Sequence, residues 1–184
     1  MNNFINNRRF FLSIILLSSL CGTLYAIFIK DNTSLLYAIN SFFDSSTYNI
    51  STLNVFRQAM ITYLISLTLV FTGASSKNLL PLAVISFFYM IFSYSFTFTC
   101  FVILYGIRGV LVAILLIGVS SIGILASLLE IFYQGTLYSI FGTITFKKYF
   151  DIYIKAILVV FGIALYDAMV ILNIQNIISF IIFG

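Results

Sequence analysis

Apolar residues in this chain form unbroken runs long enough to cross a lipid bilayer, and nothing else limits the fold as much. Phe10 to Ile29 is 20 residues without a charge. A helix needs about 20 residues to cross a hydrocarbon core of roughly 30 Å. Comparable runs occupy 58–75, 79–104 and 110–129, again without Asp, Glu, Lys or Arg. A fifth, 153–181, carries only Lys155 and Asp167. Across the 184 residues, 62% are hydrophobic and 8% are charged. A soluble domain carries about 25% charged residues. A surface so poor in charge is stable against acyl chains, where the backbone must satisfy its own polar groups within helices. The expected fold is therefore all-α: a polytopic integral membrane helix bundle of about five transmembrane helices, with 1–184 as a single membrane domain.

The N-terminal run follows Arg8-Arg9 and passes Leu20-Cys21-Gly22. A lipoprotein cleavage site wants a small residue before the cysteine, and Leu20 is large, so the run reads as an uncleaved first helix. Residues 30–56 form the most polar stretch, with an apolar helical spacing over Leu35, Leu36, Ile39, Phe42 and Phe43. It is expected to lie outside the cytoplasm as a short amphipathic surface helix. Pro81, the single proline, falls in the first turn of the third run, where a missing amide hydrogen is tolerated. Tyr105-Gly106-Ile107-Arg108-Gly109 reads as a tight connection. The segment 130–150 is apolar but interrupted by Gln134, Gly135 and Gly142; it reads as an interfacial helix, a re-entrant segment or part of a sixth crossing, and the interface is the favoured reading.

Five spans put the termini on opposite sides. With the N-terminus in the cytoplasm, Arg8, Arg9, Lys77, Lys147, Lys148 and Lys155 lie inside, against Lys30, Arg57 and Arg108 outside. Six against three satisfies the positive-inside bias.

Several chemistries lack their residues. There is no histidine, so the commonest general base and metal ligand are missing. Cys21 and Cys100 sit in separate runs and make no paired-cysteine motif. No phosphate-binding glycine loop, zinc helix or nucleophile turn is present. No cofactor is expected, and a scattered net charge of +4 does not make a nucleic-acid surface.

Five residues stand out as candidates for function or partner contact. Asp167 lies deep in the last run, where a carboxylate must face protein, water or a cation. It reads as a relay, a substrate contact, an interhelical pair or a hydrogen-bonded packing residue. Ser93 and Thr97 belong to a stripe with Ser86 and Met90 at helical spacing, flanked by Ser95 and Thr99. Such hydroxyls serve close helix packing or line a polar path. Gly118, Ser120, Ser121, Gly123 and Ser127 give the fourth run a small-residue face. Arg57 and Arg108 flank spans at positions where a long cationic side chain reaches the interface.

The order of these parts resembles the stage II sporulation protein M family of bacterial membrane proteins, from Arg9 to about Ala113. One span is followed by an extracytoplasmic apolar helix, here Ser34 to Phe43. Phe56-Arg57 leads into the second span, and Leu80-Pro81 opens the third. The run Phe92-Ser93-Tyr94-Ser95-Phe96-Thr97 and the Tyr-Gly-x-basic-Gly connection at Tyr105–Gly109 follow. This chain has Ser93 and Ser95 where the family tends to have glycine. The resemblance implies a five-span, non-catalytic scaffold in a bacterial cell membrane. It further implies membrane-embedded or wall-associated partners, peptidoglycan hydrolases, in a complex that remodels the septal wall during forespore engulfment. The residues alone also allow a permease or substrate-binding subunit of a transporter, for which Asp167 and the hydroxyl stripe are the motive.

Overall fold

The computed structural model describes the backbone of residues 2–32 and 51–183, and side chains over 9–32 and 51–170. The expected surface helix Ser34–Phe43 lies outside the described residues. Those described form helices and short connections, with no strand among them. The helices are α1 (Asn2–Phe28), α2 (Thr52–Ala74), α3 (Leu80–Ala113), α4 (Val119–Thr136) and α5 (Phe146–Phe183). A 3₁₀ turn, Lys77–Leu79, precedes α3, and single π turns, Ile114–Gly118 and Leu137–Phe141, bracket α4.

Local chemistry accounts for the starts and stops. Ser51 sits in extended backbone, and its side chain accepts a hydrogen bond from the Asn54 amide at 3.3 Å, which caps α2. The helix thus begins ahead of the expected 58–75, and Phe56 and Arg57 lie within it. Pro81 occupies the first turn of α3, as its missing donor allows. Gly142, at φ 62°, closes the helical run that ends at Phe141.

Gly106 has φ 58° and ψ −134°, far from helical values, in the middle of α3. A side chain on Gly109 would meet the Phe101 carbonyl oxygen at 1.9 Å. Eight residues of straight helix would hold those positions about 12 Å apart. The chain therefore doubles back at Gly106, within the Tyr105–Gly109 connection expected from the sequence. Ile91, Tyr94, Ser95 and Phe98 on the outgoing arm consequently share one cleft with Ala113, Ile117, Ser121 and Leu125 on the returning arm.

The segment 130–150 is divided between two helices. Residues up to Phe141 continue the returning arm, and Phe146 onward belongs to α5, leaving only 142–145 as connection. The apparent interruptions are used inside the helix. Gln134 donates to the Glu130 carboxylate one turn earlier at 2.8 Å. Gly135 is buried against α2, where a Cβ would lie 2.4 Å from the Ala74 methyl.

Four helical stretches are long and apolar enough to cross a membrane: Arg9–Phe28, Thr52–Ala74, the 65-residue Lys77–Phe141 and Phe146–Val170. The core joins Phe11 of α1, Leu67 and Val70 of α2 and Phe87 of α3 to Leu128 and Phe132 of α4 and Tyr149 and Val160 of α5. The opposite faces carry Leu16, Ile122, Leu158 and Met169, each more than 60% exposed. Bulky apolar residues outside as well as inside mark a lipid-facing bundle. The chain is thus a multi-pass membrane protein.

Candidate functional site

The one buried carboxylate among the described residues is Asp167, with 4% of its surface exposed. It lies on α5 in the sequence Phe161-Gly162-Ile163-Ala164-Leu165-Tyr166-Asp167-Ala168. Ala164 and Ala168 are buried on the same helix, and their small side chains let neighbouring helices approach. Two hydroxyl groups then converge on the carboxylate from separate helices. The Tyr63 hydroxyl of α2 donates to one oxygen at 2.6 Å. The Ser120 hydroxyl of α4 donates to the other in a short hydrogen bond. Ser120 is 3% exposed, so this contact is dry.

A second tyrosine extends the cluster. Tyr94 of α3 brings its hydroxyl beside Tyr63 and within electrostatic reach of Asp167. That oxygen is buried beside the Tyr63 hydroxyl, which donates to Asp167. Tyr94 also lines an open cleft of about 560 Å³, together with Ser19, Ser95, Thr99 and Ser121. The hydroxyls of that cleft are mostly committed: Ser95 donates to the Ser19 carbonyl at 2.9 Å, and Thr99 to the Ser95 carbonyl at 2.8 Å.

The other sequence candidates do not join Asp167. Thr97 returns its hydroxyl to the Ser93 carbonyl at 2.8 Å, within its own helix. Farther along the stripe, Met90 accepts from the Ser66 hydroxyl of α2 at 3.3 Å, a packing contact between helices. Arg57 is exposed near the start of α2, in a shallow depression with Asn54, Gln58, Ile61 and Thr62. Arg108 is exposed beside the Gly106 turn. Asp167 alone of the five lies in the buried cluster. Its partner Ser120 was visible only as part of a small-residue face, and Tyr63 carries no mark in the sequence beyond being a polar aromatic inside an apolar run.

Chemically, the arrangement is a clamp. Each oxygen of the carboxyl group meets one hydroxyl, and the two bonds tie together α2, α4 and α5. The Ser120–Asp167 pair does not include the imidazole or amine that activates a serine nucleophile. Comparison of the chain with protein-family models, with curated proteins and with solved structures returned no match.

Proposed function

We propose that the chain is a non-catalytic membrane scaffold that crosses the bilayer five times, with its N-terminus in the cytoplasm. The observation that carries this reading is that each oxygen of Asp167 is held by a hydroxyl from a different helix. The costliest polar group in the bundle is spent on holding three helices together, with both oxygens occupied by Tyr63 and Ser120. The reversal at Gly106 supports counting Lys77–Phe141 as two crossings. Straight, those 65 residues would extend about 100 Å, three times the hydrocarbon thickness. The connection at 75–79 lies beside Tyr138 and Ser139, so Lys77 and the Lys147-Lys148 pair share one end of the bundle. That grouping supports placing this end in the cytoplasm.

The partner class follows from the resemblance set out above. We take the chain to anchor a peptidoglycan-remodelling complex, as in forespore engulfment, through its span faces and the stretch 30–56. The test is a mild-detergent pull-down of the tagged chain from starved cells of its own organism. Recovery of secreted or membrane-anchored wall hydrolases supports the scaffold. A deletion strain that engulfs forespores normally would remove the wall-remodelling assignment.

A transporter subunit is the second reading, favoured by the cleft beside Tyr94. Tyr94 lines an opening of about 560 Å³ and brings its hydroxyl beside the Tyr63–Asp167 pair, which links the cleft to the buried carboxyl group. This reading expects a nucleotide-binding subunit in the same pull-down, or solute uptake into liposomes that depends on Tyr94 and Asp167.

A further inference from the structure

Where α2 passes into α3, Ser75, Ser76, Lys77 and Asn78 line an open pocket of about 480 Å³, together with Tyr138 and Ser139 from the returning arm. The lining offers one ammonium, one amide and four hydroxyls, and no carboxylate. Ser75 spends its hydroxyl on the Thr72 carbonyl at 2.7 Å. Ser139 does not: its hydroxyl oxygen is buried and finds no partner. Lys77 is exposed and forms no ion pair among the described residues. More positive charge stands close by. Tyr138 packs its ring on Phe146 at 5.8 Å and on Tyr149 at 5.7 Å, and the exposed Lys147 and Lys148 lie between those two positions in the chain.

A site made of donors and cations, without a competing carboxylate, selects an anion with several acceptor oxygens. Its position narrows the class. The pocket sits where the apolar runs of α2 and α3 end, the depth at which lipid headgroups lie. Leu79 and Leu82, next along the chain, are exposed and give an acyl chain an apolar wall to follow. We propose that this pocket binds a phosphate group, carried by an anionic phospholipid or free in solution. Lys77 supplies the charge and the Ser139 hydroxyl gains its missing acceptor. The proposal does not depend on the scaffold reading, since the pocket serves a transporter equally well.

The test uses the full chain, purified in detergent and delipidated, with native mass spectrometry reading bound phosphatidylglycerol. One lipid should bind saturably, and Lys77→Gln should weaken it about fivefold, the loss expected of one headgroup-facing lysine. Ser139→Ala should weaken it too, whereas Lys155→Gln should leave it unchanged. Phosphatidylglycerol that resists millimolar inorganic phosphate identifies the lipid as the source. Displacement by inorganic phosphate identifies the free anion instead, at the same site. If phosphatidylglycerol and inorganic phosphate both fail to bind, or if Lys155→Gln weakens binding as much as Lys77→Gln, the pocket is not a phosphate site. Lys77 is exposed, so its substitution leaves the fold intact as a basis for the comparison.

Discussion

The hydroxyl of Tyr63 and the carboxylate of Asp167 meet at 2.6 Å across 104 residues of chain. In a bundle whose other contacts are largely apolar, this bond and the one from Ser120 fix how α2, α4 and α5 rotate against one another. Apolar packing alone would tolerate several rotations, because lipid is as apolar as the helix interiors and leaves the faces of a helix nearly equivalent. A buried polar contact removes that degeneracy. Register is the best-attested use of such groups.

The first prediction concerns this clamp. Tyr63→Phe removes one donor and should destabilise the bundle by about 1 kcal/mol, the scale of interhelical hydrogen bonds in membranes. Asp167→Ala strands the buried Ser120 hydroxyl and the half-buried Tyr63 hydroxyl and should cost about 2–3 kcal/mol. The double substitution should cost less than the sum, with a coupling of about 1 kcal/mol. Unfolding in mixed micelles measures all three. Strict additivity would mean that the two side chains do not stabilise each other.

The second concerns the reversal of α3. Gly109→Ala sets a methyl against the Phe101 carbonyl, in backbone that has no freedom to move away at a 1.9 Å approach. Gly106→Ala meets no atom within 4 Å, but must hold φ 58° with ψ −134°. That conformation is costly for an L residue, about 1–3 kcal/mol. Gly109→Ala should therefore abolish the folded chain, while Gly106→Ala should lower its stability and leave it folded. Detergent-extracted yield and size-exclusion behaviour distinguish the two. Equal tolerance of both would mean that the arms are farther apart than described.

The third concerns the junction of α2 and α5. Tyr149 is fully buried, its ring stacks on Phe71 with centroids 4.7 Å apart, and its hydroxyl donates to the Phe71 carbonyl at 2.9 Å. Tyr149→Phe keeps the stack and loses the bond, at about 1 kcal/mol. Tyr149→Ala loses both and opens a cavity, at about 3–5 kcal/mol. Thermal unfolding in detergent should rank them in that order. A Phe variant as damaged as the Ala variant would put the weight on the hydroxyl rather than the ring.

Much of this architecture was legible along the chain because transmembrane helices advertise themselves by length and apolarity. Pro81 opens a helix, the Tyr105–Gly109 connection turns, and Asp167 faces protein, as local chemistry requires of each. What the sequence concealed is pairwise. Ser120 looked like packing, and Tyr63 looked like any aromatic in a span, because nothing local shows which residue on another helix it will meet. The helices within 130–150 were hidden for a related reason. Gln134 and Gly135 break an apolar pattern, but tertiary contacts absorb them: a turn-to-turn bond to Glu130 for one, the close approach of Ala74 for the other. Only Gly142, with its positive φ, is a true stop.

The proposed crossing count yields the last prediction. Cys21 and Cys100 are both free, and small side chains suit their places, so Cys21→Ser with Cys100→Ser gives a background for site-directed labelling. Single cysteines then replace exposed residues at the two ends: Arg57→Cys and Arg108→Cys at one, Lys77→Cys and Lys148→Cys at the other. A membrane-impermeant thiol reagent applied to intact cells should label positions 57 and 108, and reach 77 and 148 only after permeabilisation. Labelling of 77 and 148 from outside with 57 and 108 protected would invert the orientation while keeping the crossings. Labelling of 77 and 108 from the same side would do more. It would mean that the arm from Leu80 to Tyr105 does not cross the bilayer, and the Gly106 reversal would then belong to a re-entrant hairpin rather than to two transmembrane spans.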